Sequence, residues 1–271
     1  MVETRERVSV AAKAGVFWGC YIPALQPFAE AAFRLILDDL GLSLSDVRGI
    51  ACCPSPFMFK ILDYEYWLET ARANLDAIAS DFRAIVTLCN GCWDSLLHAR
   101  DLVENPPEVL HIAEFLIGLR NALLKRIQTP LQNLRVAVHV GCKPRSKPSL
   151  VDAIHELTAL TGARIVNWRT AKICCGYPLF LAKPDEALET RVRVKVEDVQ
   201  QVGADAIVVV CPACFMLLER GQLVLRRKGL RQTTPVLHLV ELLALALGHK
   251  GQEIGLDAHA IKPKALLESI G

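Results

Sequence analysis

The sequence predicts an α/β protein of two pseudo-symmetric lobes, each with a small parallel sheet flanked by helices and a five-cysteine cluster site. Three observations lead there. The ten cysteines form two superimposable sets, Cys20, Cys52, Cys53, Cys89, Cys92 and Cys142, Cys174, Cys175, Cys211, Cys214, and each member of the second lies 122 residues after its counterpart. Within each set 31 residues separate the first Cys from the Cys-Cys pair, and 35 separate the pair from the Cys-x-x-Cys. Drift does not leave such a pattern, so the repeat is the first fact to explain. Third, short apolar runs such as residues 84–88 (AIVTL) and 206–210 (AIVVV) alternate with helix-like segments, the mark of parallel α/β units.

In chain order, residues 1–13 read as a polar lead-in and residues 15–19 (GVFWG) as a short buried strand that ends before Cys20. Residues 27–40 carry apolar side chains at helical intervals, with Gly41 as the stop. Residues 47–52 make a second short strand running into Cys52-Cys53-Pro54, and residues 60–80, free of breakers, a single amphipathic helix. Strand 84–88 is followed by Cys89-Asn90-Gly91-Cys92, which opens a helix to about Val103; Asn105-Pro106-Pro107 breaks it, and residues 109–124 form a further helix.

The second half repeats this order: strand 136–140 before Gly141-Cys142, helix 149–160 stopped by Gly162, strand 164–166, helix 184–202 ended by Gly203, strand 206–210 and helix 215–228. The ends of the halves also match, VLHI at 109–112 against VLHL at 236–239, with Glu114 and Glu241 three residues after His111 and His238. The boundary falls in the Pro130-containing stretch 128–134, dividing the chain into lobes 1–132 and 133–271.

Parallel sheets gather ligands at the carboxyl ends of their strands, where Cys20, Cys89, Cys142 and Cys211 fall in this reading. Cys92 and Cys214 then sit in the first turn of a helix, whose unpaired N–H groups and positive dipole end stabilise thiolates. Five thiols per set is an informative number. Disulfide frameworks need an even count, a structural zinc takes four ligands, and a cubane iron–sulfur cluster takes four cysteines. An iron–sulfur cluster with an extra thiolate fits, and so does a cluster plus one free reactive Cys. Cysteines acting only as small buried hydrophobes would not keep identical spacings.

The pattern Cys-x31-Cys-Cys-x35-Cys-x-x-Cys, carried by GCYIPA, ACCPSP and LCNGC and again by GCKPRS, ICCGYP and VCPAC, resembles the CCG (cysteine-rich) domain of the HdrB-type subunits of heterodisulfide reductases over nearly the whole chain. The resemblance implies that each set binds one noncubane [4Fe-4S] cluster, two in all, with the disulfide substrate between them. Cys53 and Cys175 are the candidate catalytic positions, and all ten cysteines are candidate ligands. It implies as partners an iron–sulfur electron-transfer subunit (HdrC-like), a flavin subunit (HdrA-like), and a thiol/disulfide or carrier-bound sulfur substrate. The first pair departs from the pattern, reading Cys52-Cys53-Pro54 against Cys174-Cys175-Gly176. Proline has no N–H, so a backbone donor to sulfur is missing from the first site. This departure and the compact length lean toward the related complex of sulfur-oxidising bacteria. The rival readings are a non-catalytic CCG subunit that passes electrons to a lactate- or glycolate-type dehydrogenase, and a zinc-stabilised scaffold.

A net charge of +2 carries no polyanion-binding signature, so no nucleic-acid partner is expected. The N-terminus has no apolar core of a secretory signal. The richest apolar stretch, residues 236–248, is too short and too polar to span a bilayer. Ten cysteines without an export signal indicate a cytoplasmic redox or metal protein. No GxGxxG or Walker loop is present, so electrons are expected to arrive through another subunit. His111 and His238 read as helix caps or as groups facing a cluster. Lys143, Arg145 and Lys147 read as a solvated loop or an anion site. Trp18, Trp93 and Tyr177 read as shields of the clusters or as ordinary core.

Overall fold

The structure is a computed structural model describing residues 13–270; the lead-in lies outside the described residues except for Lys13. Two four-stranded parallel sheets carry the fold. The first has the order β2-β1-β3-β4, built from β1 (Ala14–Val16), β2 (Ser45–Asp46), β3 (Ala84–Thr87) and β4 (Glu108–His111). The second repeats it as β6-β5-β7-β8, from β5 (Arg135–His139), β6 (Arg164–Ile165), β7 (Ala206–Val209) and β8 (Val236–His238). The central strands β3 and β7 are buried throughout, which explains their unbroken apolar sequences.

The helices named below are α1 (Pro27–Leu40), α2 (Tyr64–Asp76), α3 (Asn90–Ala99), α4 (Ile112–Ile117), α5 (Pro148–Leu160), α6 (Val194–Gln201), α7 (Pro212–Arg226) and α8 (Leu239–Leu247). The lobes face each other by exchanging helices. Helix α1 of the first lobe packs on α8 of the second, and α4 of the first packs on α5 of the second. Each lobe thus covers an apolar helix face that the other leaves open, which makes the interface a shared core. The tail also lies on this seam. His259 packs at a tilt on Phe28 of α1 and edge-on against Phe215 of α7, with ring centroids 4.2 and 5.2 Å away.

The structure departs from the sequence reading in four segments. Residues 47–52 are not a strand, because the chain leaves the sheet after Asp46 and turns at Gly49, where φ is +72°. The helix expected over 60–80 is broken at Asp63, whose carboxylate accepts a hydrogen bond from Tyr66 N at 2.9 Å and starts α2 afresh. The segment 109–124 begins as a strand, with Val109 and Leu110 paired to Ile85 and Val86 of β3. A short apolar run has no decisive period of its own, and pairing with β3 settles it. The segment 184–202 is helical but contains a π turn over Leu188–Arg193, set against the Cys174-Cys175-Gly176 loop through Arg191.

Candidate metal centre

Strand ends and helix starts place the thiols. Cys89 and Cys211 follow the two central strands in extended conformation and cap the N-termini of α3 and α7. Cys92 and Cys214 sit in the first turn of those helices, as the sequence predicts. The Cys-Cys pairs reach in from their loops, with Cys53 Sγ 3.2 Å from Cys92 Sγ and Cys175 Sγ 3.3 Å from Cys214 Sγ. Cys52 Sγ lies 3.7 Å from Cys20 Sγ. Among the described residues none of the ten forms a disulfide; Cys20 and Cys52 are exposed, Cys142 and Cys174 half-buried, and the remaining six buried.

Each set lines its own pocket. One of about 420 Å³ is bounded by Cys20, Cys52, Cys53, Cys89 and Cys92 together with Trp18, Phe57 and Tyr177. A second of about 280 Å³ is bounded by Cys142, Cys174, Cys175, Cys211 and Cys214 together with Asn90, Phe57 and Tyr177. Phe57 and Tyr177 line both, so the pockets are neighbours across the seam. Cys89 and Cys211 shift each other's ionisation across it.

Crowding governs the ionisation of these thiols. In the first set Cys53 is held well below the usual thiol range by the S–H groups of Cys52 and Cys92, while Cys20, Cys89 and Cys92 are pushed up by hydrogen bonding to neighbouring thiols and by burial. In the second set Cys211 is held down by Cys214 and Cys89, and also by the N–H groups of Ala213 and Cys214 at the start of α7. Cys174 is held down by Cys142 and Cys175; Cys142, Cys175 and Cys214 are pushed up. Like charges this close cannot all ionise unaided. Five thiolates per pocket become compatible once cationic iron is shared among them, so the donor set fits an iron–sulfur group.

The remaining residues sort clearly. His111 and His238 are helix caps: their Nδ1 atoms accept from Ala113 N at 3.1 Å and Val240 N at 3.5 Å, while Nε2 reaches Asn90 Oδ1 at 2.9 Å and the Leu88 carbonyl at 3.1 Å respectively. Burial brings both down to about 4, so they are neutral. Lys143 and Lys147 pair across the seam with Asp94 at 2.7 Å and Glu114 at 2.5 Å, and Arg145 donates to the Lys172 carbonyl. The two lysines tie the lobes together, while Arg145 stays within the second. Trp18 and Tyr177 line the first pocket, while Trp93 packs edge-on against His111.

Sequence reasoning missed three groups. The Tyr21 hydroxyl meets that of Tyr177 from the opposite lobe. His139, at the end of β5, presents a ring nitrogen within 4.8 Å of the Sγ atoms of Cys175 and Cys214. Lys195 on α6 is fully buried, with Nζ 4.5 Å from the centroid of Trp168. A residue-by-residue overlay of the repeats would have exposed His139, because the matching position holds Phe17.

The cysteine-rich CCG domain model matches twice, over residues 14–96 and 136–219. The chain belongs to the CCG family. It is also 34% identical to the HdrB protein of the ferredoxin/F420H2-dependent CoB–CoM heterodisulfide reductase of Methanosarcina acetivorans, covering 96% of this chain and 97% of that protein. An HdrB-like heterodisulfide reductase protein of Archaeoglobus profundus is 28% identical over 89% of this chain and 93% of its own. These likenesses place the chain in the HdrB family of oxidoreductases, and they point to iron–sulfur clusters as cofactor and to a multisubunit complex as setting. A hypothetical protein from Helicobacter pylori shares the fold, with a TM-score of 0.74 at 15% identity, covering 96% of this chain and 57% of that one. No helix among the described residues is long and apolar enough to cross a membrane.

Proposed function

We propose that this CCG protein is the catalytic component of a heterodisulfide reductase-like complex. Cys20, Cys52, Cys53, Cys89 and Cys92 hold one noncubane [4Fe-4S] cluster, and Cys142, Cys174, Cys175, Cys211 and Cys214 hold the other. The reaction is RS–SR′ + 2 e⁻ + 2 H⁺ → RSH + R′SH, or its reverse, on a disulfide or a carrier-bound sulfur. One observation carries the reading: the two five-thiol pockets adjoin across the seam and share Phe57 and Tyr177 as walls. A disulfide at that seam presents one sulfur to each pocket. Clusters bound there supply electrons singly, and two such sites sum to the pair that an S–S bond requires. The electrons come from an iron–sulfur subunit (HdrC-like) and a flavin subunit (HdrA-like). The division into lobes at 132/133 is part of the same proposal.

The chain's own residues bind and orient the substrate. Trp18, Pro56 and Phe57 give the first pocket apolar walls that exclude water. Burial, and then Tyr21, push the Tyr177 phenol well above its ordinary range. Its hydroxyl therefore stays protonated and serves as a hydrogen-bond donor to a developing thiolate.

Metal analysis of anaerobically prepared protein tests the cofactor, with about eight iron and eight sulfide per chain expected from two tetranuclear clusters. Zinc without iron overturns the reading. In the assembled complex, Cys53→Ser and Cys175→Ser are each expected to abolish disulfide-linked turnover. Wild-type rates in either variant would remove the two-site mechanism.

A further inference from the structure

The two sites have the same cysteines but not the same surroundings: the fully buried Ser95 hydroxyl acts on Cys53 at the first, where the second has Leu217, and a buried histidine and lysine stand behind the second. His139 is 1% exposed, and among the described residues neither ring nitrogen has a hydrogen-bond partner. The Ala171 carbonyl faces the ring without closing a hydrogen bond of ordinary geometry. A neutral imidazole has one donor and one acceptor to place. A buried donor without a partner is costly, and such a group calls for an explanation. The ring sits beside Cys175 and Cys214. The equivalent place in the first lobe holds Phe17, which has no polar atom in its side chain.

Lys195 adds charge to the same side. Its ammonium donates to the Thr170 carbonyl and lies over Trp168, whose ring in turn stands 6.2 Å from that of His139. The side chain is fully buried, and donation to a carbonyl together with a seat over an aromatic face suits the ammonium form. On α2, the matching helix of the first lobe, the single basic residue is Arg72, which is half-buried at the surface and paired with Glu69 and Asp76. The backbone points the same way. Gly176 N donates to Cys174 Sγ at 3.5 Å, a bond that Pro54 cannot make.

Resting on the cluster assignment above, we propose that His139 and Lys195 are positioning residues of the second centre, His139 donating a hydrogen bond to its sulfur and Lys195 supplying a buried positive charge, so that the second cluster has the higher reduction potential. Donors to sulfur and nearby cations stabilise the reduced, more negative state. A cluster held at the second site would then be the more readily reduced of the two.

The test is an anaerobic redox titration of wild-type, His139→Phe, His139→Gln and Lys195→Met protein in the assembled complex, followed by electron paramagnetic resonance. Wild-type iron content and signals test the cluster assignment first; absence of iron overturns both proposals. With clusters present, two distinct midpoints are expected. His139→Phe should lower only the higher one, cutting the reduced-to-oxidised ratio there about tenfold, which is about 59 mV for a one-electron couple. His139→Gln keeps an N–H donor and should recover most of the shift, while Lys195→Met should lower the same midpoint. Unchanged midpoints in His139→Phe and Lys195→Met, or shifts confined to the other signal, would overturn the inference and leave the clusters standing. Labelling histidine with nitrogen-15 separates donor from ligand. A weak coupling lost in His139→Phe supports the hydrogen bond, and a strong coupling of directly bound nitrogen refutes it.

Discussion

The two lobes share a cysteine frame and differ in what packs behind it. In the first, Glu114 accepts from the His111 backbone N–H and pairs with Lys147 at the surface of the seam. In the second, Glu241 makes the same cap to His238 but is fully buried, its other oxygen taken by His259 at 2.8 Å. The repeat fixes backbone chemistry, caps and thiols; burial then decides how much each copy of a residue matters. The sharpest way to break the comparison is to remove both glutamates. Glu241→Ala leaves His259 buried without its main partner and is expected to cost about 3–5 kcal/mol. Glu114→Ala loses a cap and a partly exposed pair, for about 1 kcal/mol. Denaturant midpoints of the two variants measure the gap, and equal losses would mean that the lobes are energetically interchangeable.

A smaller effect separates the two Cys-Cys loops. Gly176 has φ +100°, and a Cβ there would meet Arg191 Cβ at 2.7 Å. Gly176→Ala therefore combines a left-handed backbone with a clash and is expected to destabilise by about 1–3 kcal/mol, with iron lost from the second site first. Pro54→Gly in the first loop adds an N–H and loses a rigid φ, and is expected to change stability by less than about 1 kcal/mol. Iron per chain together with thermal melting checks both; full iron retention by Gly176→Ala would show that this loop tolerates distortion.

The ten-cysteine repeat, the parallel strands and the helix-start positions of Cys92 and Cys214 were legible because spacing and periodicity are local. The edge strands β4 and β8 were not, because Val109-Leu110 and Val236-Leu237 are too short to show a period, and only their pairing with β3 and β7 makes them strands. Asp63 carried a readable capping signal inside what looked like one helix. The segment after residue 250 shows only scattered apolar residues in the sequence; what His259 does there depends on Glu219 and Glu241, which are distant along the chain but face it in space. Polar partners of this kind leave no periodic trace, which is also why Lys195 passed as one charge among several on a charged helix.

The tail cluster yields the finest test of the asymmetry, through pH. Burial alone would lower the His259 pKa, but the Glu241 carboxylate and then Glu219 more than offset it, so the net shift is upward. A folded pKa above the unfolded value means that the folded state binds the proton more tightly. The stabilisation is then complete below about pH 6.5, the ordinary histidine value, and is lost as pH rises through the folded pKa. Burial raises the Glu219 pKa too, but its contribution starts to be lost in the ordinary carboxylate range, below the histidine window. Stability should therefore fall as pH climbs above about 6.5, beyond any change shared with a reference variant. Glu241→Gln is that reference. Without the carboxylate, burial governs His259, its folded pKa drops, and the descent should flatten or reverse. Urea midpoints across this range decide the matter, and parallel slopes in the two proteins would mean that His259 is neutral in the folded chain and that the second lobe's buried pair carries no proton-linked stability.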